Sequence, residues 1–280
     1  MGVLNKILPK PLKPISRDIG FLIRSIFYRI RNLNKNTNSS PIFILGNQKS
    51  GTSAIAAILG KNTNKKTTID LFYSGFYSSL FTKWKNNNIS TSDFIRKNAV
   101  EFSADIIKEP HLSVFYKELK ERFPESKFVM IVRNPLDNIR SILDRLNVEG
   151  NKESLSKKDK KKFYHSWSLL LNNSWISGSQ EQYIDVLAER WNIISSIYLE
   201  NKENIILVKY EDFLLDKTGI IKQLSDKLNL TQEIDISHLL DKQFQPKGKK
   251  QSVDLKVFFE KANYSRIKEI CKKNMQKLGY

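Results

Sequence analysis

The sequence contains almost no cysteine, little histidine and no long hydrophobic run. Cys271 is the only cysteine in 280 residues, so no disulfide can form within the chain and a disulfide-stapled fold is excluded. Neither His165 nor His238 has a cysteine, histidine or carboxylate at ligand spacing, so the sequence predicts no metal site. The apolar runs are too short to span a bilayer and the N-terminus lacks a signal-peptide pattern, so we expect a cytoplasmic protein.

Acidic residues are scarce relative to basic ones. The chain has 29 Asp and Glu against 47 Lys and Arg, a formal net charge of +18. Such an excess predicts anionic partners, which include nucleotides, acidic polysaccharides, nucleic acids and acidic membrane surfaces. Lys, Asn and Ile are used heavily throughout, as in a protein encoded by AT-rich DNA. The charge alone therefore does not decide among these partners.

The chain does contain a regular alternation of buried strand patterns and helical patterns. Its length and its 40% apolar composition are sufficient for a real core. Strand-loop-helix units occupy 41–60, 102–123 and 127–146, and further strand patterns lie at 67–73 and 204–210. This order predicts an α/β fold, with a central parallel sheet flanked by helices on both faces. Ligands of such sheets bind beyond the carboxyl ends of the strands.

Two segments differ in composition from this core pattern. Residues 1–38 are predicted to be a basic amphipathic extension and linker, and residues 39–280 a single domain. Apolar residues and arginines share a helical pattern in 17–33, so this helix can lie on an anionic membrane surface or dock on the body of the protein. The charged run 150–162 is expected to be a mobile surface segment.

The first strand ends in a glycine-rich loop whose lysine is displaced. Gly46 and Gly51 have the spacing of a P-loop, but Thr52 stands where a nucleotide hydrolase has its lysine, and the lysine of this loop is Lys49. Backbone N–H groups, a helix N-terminus and the loop hydroxyls can still hold an anion. The loop has lost the geometry for a magnesium-bound γ-phosphate.

A second anion site is predicted at the end of the strand in 127–146. A nucleotide hydrolase would have a metal-binding aspartate there, but this strand ends in Arg133. Arginine binds phosphate as a bidentate fork, and Ser141 lies on the helix that follows. Two anion sites without a metal ligand are an unusual combination for one nucleotide.

The combination resembles the sulfotransferases that use 3′-phosphoadenosine 5′-phosphosulfate (PAPS). In that family a K-[ST]-G-T-[ST] loop holds the 5′-phosphosulfate, and residues 49–53 match it. An apolar strand followed by R-[DN]-P and a serine on the next helix hold the 3′-phosphate, and residues 133–135 with Ser141 match them. The likeness covers about 41–280 and includes "LVKYEDF" and a late K-G loop. The "QPKGKK" form of that loop is closer to carbohydrate-modifying members.

The resemblance implies a P-loop-like sulfotransferase architecture, PAPS as the sulfuryl donor and no metal. It implies these cofactor-binding residues: Gly46, Gln48, Lys49, Ser50, Gly51, Thr52, Ser53, Arg133, Ser141, Tyr210, Lys247, Gly248 and Lys249. One departure concerns the adenine ring, because Ala54 stands where many members have a stacking tryptophan. Tyr210 and Phe244 are the candidates to replace it.

The same resemblance suggests residues for the chemistry. Sulfuryl transfer has a loose, in-line transition state, so charge stabilisation and positioning supply most of the catalysis. Lys49 is expected to stabilise the leaving oxygen, and Lys108 belongs to a K-x-P sequence that resembles one beside the sulfuryl group in carbohydrate sulfotransferases. Asp70, Glu109 and His111 are the alternatives for the base that accepts the acceptor's proton.

The sequence defines the chemical class of the acceptor less specifically than that of the donor. Residues 150–182 lie where sulfotransferases carry acceptor-binding structure, so they are expected to form an acceptor-side insertion or lid. Their lysines, with Tyr164, Trp167 and Trp175, can grip an acidic glycan or simply form a solubilising loop. The partners expected are thus an acceptor, possible contact of 17–33 with an anionic membrane, and no nucleic acid. A degenerate P-loop kinase and a non-catalytic basic binding module are the alternative functions.

Overall fold

The central sheet has the predicted parallel arrangement. The computed structural model describes residues 26, 28, 30–32, 35–176, 182–241 and 254–280. Within these residues the strands are β1 Ile42–Gly46, β2 Thr67–Ile69, β3 Ile106–Lys108, β4 Phe128–Val132 and β5 Ile205–Lys209. They form a five-stranded sheet in the order β2-β3-β1-β4-β5, and every neighbouring pair is parallel. The α/β prediction is confirmed.

Helices connect the strands and cover the sheet. The first half has α1 Thr52–Asn62, α2 Phe72–Phe76, α3 Ser79–Lys85, α4 Thr91–Lys97, α5 Ala99–Phe102, α6 Tyr116–Arg122 and α7 Pro135–Leu146. The second half has α8 Lys157–Lys160, α9 Tyr183–Glu200, α10 Tyr210–Leu215, α11 Lys217–Lys227 and α12 Leu255–Leu278. Short 3-10 helices lie at Pro110–Phe115, His165–Leu170, Ser174–Ile176 and Ser237–Leu239.

The alternation of side chains along the strands divides the core into two layers. Phe43 and Leu45 of β1 point into a large cluster that includes residues of α7, α9 and α12. Ile42 and Ile44 point to the other face, where α1 and α11 pack. Both faces of the sheet are therefore buried, which explains why the central strands β1 and β4 are apolar throughout rather than alternating.

The strand register brings the predicted site residues to one edge. Ile44 of β1 pairs with Lys108 of β3, and Gly46 pairs with Ile131 of β4. Lys108 also pairs with Ile69 of β2. The carboxyl ends of β1 to β4 thus meet, and the loops that follow them share this edge.

The second strand is short. β2 ends at Ile69, directly before Asp70, and α2 begins at Phe72. Asp70 adopts a left-handed backbone conformation with φ 65°, and the Leu71 N–H donates to the buried Glu109 carboxylate at 3.2 Å. These two features turn the chain out of the sheet.

The charged run 150–162 is anchored to the body rather than detached from it. Asp159 is buried and accepts from Lys152 at 2.7 Å and from Lys162 at 2.8 Å. Leu155 and Phe163 lie in the large core cluster on either side of it. The prediction of a mobile segment overlooked these two apolar residues, which tie the run to the core.

The described part of the N-terminal extension docks on the domain. The Asn32 amide donates to the Lys97 carbonyl and accepts from the Val100 N–H, each at 2.8 Å. The rings of Tyr28 and Phe72 are 5.2 Å apart. Ile26 and Ile30 remain 50% and 58% exposed on this helical segment. Among the helices that the structure describes, none combines the length and apolar composition needed to cross a bilayer.

Candidate active site

A cavity of about 810 Å³ opens at the carboxyl edge of the sheet. The predicted site residues that line it are Gln48, Lys49, Gly51, Thr52, Ser53, Asp70, Lys108, His111, Arg133, Ser141 and Tyr210. Ser50 and Gly46 belong to the same loop and its strand but are not among the lining residues. Lys247, Gly248, Lys249 and Phe244 lie outside the described residues.

The loop after β1 is shaped by left-handed backbone conformations. Lys49 has φ 65° and Gly51 has φ 87°. Gly51 stands at the N-cap of α1, and no described side chain caps this helix. Gly51, Thr52 and Ser53 at this helix N-terminus line the cavity, so the helix dipole favours negative charge there.

Two glycines are required by their surroundings. A Cβ on Gly51 would lie 2.2 Å from the Tyr210 ring, because that ring packs directly on the loop. A Cβ on Gly46 would lie 2.5 Å from the Ile131 carbonyl oxygen, and the φ of Gly46 is 145°. Any larger residue at either position would displace the loop.

Buried polar side chains hold the loop from behind. The Asn138 amide donates to the Gln48 carbonyl at 2.7 Å and to Ser50 Oγ at 2.9 Å, and its oxygen accepts from Asn47 at 2.9 Å. Ser113 Oγ accepts the Gly46 N–H at 2.8 Å and donates to the Gly46 carbonyl at 3.1 Å. Sequence reasoning missed both residues. A polar residue inside the apolar face of α7 was the available signal for Asn138.

Arg133 joins the second predicted motif directly to the first. Its Nη1 donates to the Lys49 carbonyl at 2.9 Å, and its guanidinium carbon lies 4.8 Å from the centre of the Tyr210 ring. The Trp191 indole N–H donates to the Arg133 carbonyl at 2.8 Å. Burial lowers the pKa of Arg133. The two anion-binding motifs therefore form one continuous wall.

The backbone after Arg133 is fixed from the C-terminus of the chain. The Asn134 N–H donates to Glu211 Oε1 at 2.8 Å, and the Tyr280 hydroxyl donates to Glu211 Oε2 at 2.8 Å. Glu211 thus connects the R-N-P turn to the end of α12. The "YEDF" pattern drew attention to this region, but the role of Tyr280 is visible only in three dimensions.

The cavity concentrates positive charge. Burial, followed by the charges of Arg145, Arg133 and Lys108, lowers the pKa of Lys49 to about 8. Arg140, Lys108 and Lys217 line the same cavity. Lys108, Arg140 and Lys217 are each paired with a carboxylate, whereas the charges around Lys49 disfavour its protonated form. An anion bound beside Lys49 and Arg133 would therefore be stabilised.

Acidic side chains also line the cavity, namely Asp70, Glu109, Asp144 and Asp241. The Lys108 ammonium, only 2% exposed, forms an ion pair with Asp70, whose side chain is 51% exposed. Glu109 is buried and accepts the N–H groups of Leu71 at 3.2 Å and His111 at 3.0 Å. Burial, followed by the nearby Asp70 charge, raises the pKa of Glu109 to about 7.

His111 already has polar partners. It is 2% exposed, its Nδ1 lies 3.1 Å from Arg190 Nη2, and the Gln48 amide nitrogen lies 3.2 Å from the same ring atom. Burial, followed by the Arg190 charge, holds the pKa of His111 well below its ordinary value. Arg190 was not predicted from the sequence. It is fully buried, and its Nη1 has no hydrogen-bond partner within the described chain.

An apolar wall follows the loop at the Tyr210 end of the cavity. Ala54 and Ile58 of α1 contribute to it, together with Phe213, Leu214 and Leu240. The Tyr210 ring itself is engaged by Gly51 and Arg133. Within the residues that the structure describes, no group of three metal-ligating side chains comes together.

This arrangement is that of a known family. The family model for the sulfotransferase domain matches residues 39–279. The chain belongs to the sulfotransferase family. Its matched region contains all of the strands and the complete wall formed by the Lys49 loop and Arg133.

Solved structures of sulfotransferases share the fold. A mouse sulfotransferase, SULT7A1, complexed with PAP, has 12% identity and a TM-score of 0.50, covering 88% of each chain. A sulfotransferase from Alicyclobacillus acidocaldarius has 16% identity and a TM-score of 0.46, covering 83% of this chain and 96% of its own. No curated protein matches the sequence. At 12% identity the SULT7A1 structure shows the fold alone.

Proposed function

We propose that this protein transfers a sulfuryl group from PAPS to a hydroxyl or amine of an acceptor, with a carbohydrate acceptor favoured. One observation carries the proposal. The Lys49 loop and Arg133 are in direct contact and line one cavity, with cationic groups along it. A single nucleotide with phosphates at both ends of its ribose can therefore contact both motifs.

The loop would hold the 5′ end of the donor. Gly51, Thr52 and Ser53 line the cavity, so their N–H groups and the hydroxyls of Thr52 and Ser53 would donate to phosphate oxygens. The Ser50 N–H donates instead to the Asn47 carbonyl at 3.2 Å. Lys49 would stabilise the negative charge that develops on the oxygen linking phosphate and sulfate. PAPS supplies the activated sulfuryl group, and the protein supplies charge and position.

Arg133 and Ser141 would hold the 3′-phosphate. Both line the cavity, and Arg133 keeps further N–H donors beyond the one given to Lys49. We propose that the adenine ring lies on the apolar wall of Ala54, Ile58 and Phe213. This aliphatic and aromatic wall would then take the place of the stacking tryptophan that many family members have at the position of Ala54.

Asp70 is the base that the geometry favours. It is half exposed at the acceptor end, and Lys108 holds its carboxylate in place. His111 is engaged by Arg190 and has a lowered pKa, and both oxygens of Glu109 already accept backbone N–H groups. Asp70 would accept the proton of the attacking hydroxyl or amine, while Lys108 balances the charge.

Calorimetric titration with adenosine 3′,5′-bisphosphate (PAP) in EDTA tests the proposal. We expect binding without magnesium, weakened at least tenfold by Arg133→Lys because the lysine cannot reproduce the bidentate fork. Ser141→Ala should weaken binding by a smaller factor. Arg96→Lys is the matched control, since Arg96 is exposed and pairs only with Asp93. Unchanged affinity in both site variants would refute the proposal, and preferential binding of magnesium-ATP would indicate a kinase.

A further inference from the structure

A second, smaller cavity lies beside the acceptor end of the main one. It measures about 380 Å³ and lies between α3 and the segment from the His165–Leu170 helix to the Ser174–Ile176 helix. Its polar lining consists of hydroxyl and amide side chains from Thr82, Asn86, Ser168, Asn172 and Ser174, and Leu169 and Trp175 complete it. A cavity of this size suits a small ligand or one unit of a longer one.

One short helix separates the two cavities. Ser166 and Trp167 of the His165–Leu170 helix line the main cavity, whereas Ser168 and Leu169 of the same helix line the second. Trp175 in the second cavity is also close to the main site, because its ring lies 6.3 Å from the ring of His111. A molecule that crosses this helix would contact both cavities.

The second cavity is neutral on a strongly basic protein. None of the described residues that line it is charged. At the acceptor end of the main cavity, Lys108 is paired with Asp70, and Glu109 lies beside them. The described lysines of the 157–162 run line neither cavity. An acidic oligosaccharide that extends from Asp70 into the second cavity would therefore contact carboxylates and neutral groups instead of free ammonium groups.

We propose that the acceptor is an uncharged oligosaccharide, with one sugar at Asp70 and Trp167 and the next in the second cavity. The inference rests on the proposed sulfuryl transfer and adds the class of its acceptor. Amides and hydroxyls exchange hydrogen bonds with sugar hydroxyls in both directions, which lysine or arginine cannot do. The exposed part of the Trp167 indole offers the apolar face that a sugar ring requires.

Binding to immobilised sugars tests this inference. The probes are glucose and N-acetylglucosamine oligomers of one to four units and glucuronate-containing oligomers of the same lengths, with the protein saturated with PAP. We expect the neutral oligomers to be retained, and two units to bind at least tenfold more tightly than one. Transfer of radiolabelled sulfate from PAPS to the retained sugars then shows whether the bound chain is a substrate.

Paired variants separate the second cavity from the lysine run. Asn86→Ala with Ser174→Ala removes two exposed lining groups and leaves the Asn172 amide to accept the Ser174 N–H at 2.8 Å. In this double variant, the gain in affinity from the second sugar should fall about tenfold. The affinities for one sugar and for PAP should remain those of the wild type. The control is Lys157→Ala with Lys158→Ala, which should change neither the gain from the second sugar nor the affinity for PAP.

The outcomes distinguish this inference from the proposed function. Stronger retention of the glucuronate oligomers, or a gain from the second sugar that survives the Asn86/Ser174 changes, would overturn it. Retention of no sugar by a protein that binds PAP would also overturn it and leave the proposed donor chemistry standing. Failure to bind PAP would reject both.

Discussion

At the scale of single residues, the site depends on unusual backbone conformations of Lys49 and Asp70, which contacts with neighbouring residues maintain. Lys49 and Asp70 both have φ 65°, a left-handed region that few residues other than glycine occupy. Arg133 donates to the Lys49 carbonyl, and the Asp70 N–H donates to the Lys108 carbonyl at 2.8 Å. The two residues expected to act on opposite sides of the sulfuryl group are thus held by direct contacts, and this makes their positions specific.

The lowered pKa of Lys49 predicts that donor affinity falls in alkaline solution. Below pH 8 Lys49 is protonated and attracts phosphate, whereas above this pH the unliganded protein loses that charge. Both phosphates of PAP are fully ionised from about pH 7 upward because their second pKa is near 6. We expect the dissociation constant of PAP to rise about tenfold from pH 7 to pH 9. Calorimetry would show no such change in Lys49→Met, and an unchanged wild-type constant would contradict the role of Lys49.

Glu109 is expected to position Asp70 instead of reacting itself. In Glu109→Gln the new NH₂ group faces an N–H donor, either that of Leu71 or that of His111, so one of these hydrogen bonds is lost. We expect kcat to fall at least tenfold while the PAP dissociation constant stays within twofold. Glu125→Gln, at an exposed carboxylate, is the control. Equal losses of PAP affinity and kcat would show a general disturbance of the fold.

At the scale of elements, α12 supports the site although it is distant from the loop in sequence. Arg266 of α12 forms an ion pair with Asp185 of α9, and the Asn274 amide donates to the Asn192 carbonyl at 3.1 Å. The end of α12 reaches Glu211 through Tyr280. The helix therefore fixes α9, which carries Arg190 and Trp191, and also the turn that carries Arg133.

Removing the Tyr280 hydroxyl should weaken donor binding from outside the cavity. Tyr280→Phe keeps the ring near Lys209 but leaves Glu211 with one fewer hydrogen bond, so the Asn134 turn is held less firmly. This hydrogen bond, which contributes about 1.5 kcal/mol, is present with and without PAP, so only part of its energy affects binding and PAP affinity should fall about threefold. Tyr264→Phe on the same helix is the control. Identical PAP affinity in the two variants would contradict the proposed connection.

At the scale of the whole molecule, the net charge of +18 is distributed over two regions. Part of it lies along the main cavity, where we propose that it contributes to donor binding. The rest is spread over the surface, and the docked N-terminal helical segment adds the exposed Ile26 and Ile30 beside Arg31. We propose that this segment contacts anionic membranes at their surface, because apolar insertion and basic charge together favour such binding.

Vesicle sedimentation tests that proposal. We expect the protein to sediment with vesicles containing phosphatidylserine and to stay in solution with phosphatidylcholine alone. Ile26→Ser with Ile30→Ser should reduce the bound fraction severalfold because two apolar side chains leave the interface. Leu215→Ser with Val257→Ser is the control, since these apolar side chains are even more exposed elsewhere, at 87% and 69%. Equal binding by both double variants would reject the segment as the membrane contact.

Much of the fold and the outline of the site followed from local sequence patterns. Short apolar strands, the Gly46–Gly51 spacing and the Arg133 turn each depend on neighbouring residues, so they could be predicted. Asn138, Ser113 and Arg190 could not, because their roles arise from contacts between elements that are far apart in sequence.

A crystal structure of the protein with PAP tests the central claim most directly. We predict that the 5′-phosphate lies within hydrogen-bond distance of the N–H groups of residues 51–53 and of Lys49 Nζ. The 3′-phosphate should contact Arg133 and Ser141, and Asp70 should face the empty side of the 5′-phosphate. A complex in which PAP contacts only one of the two motifs, or binds outside the cavity, would contradict the account.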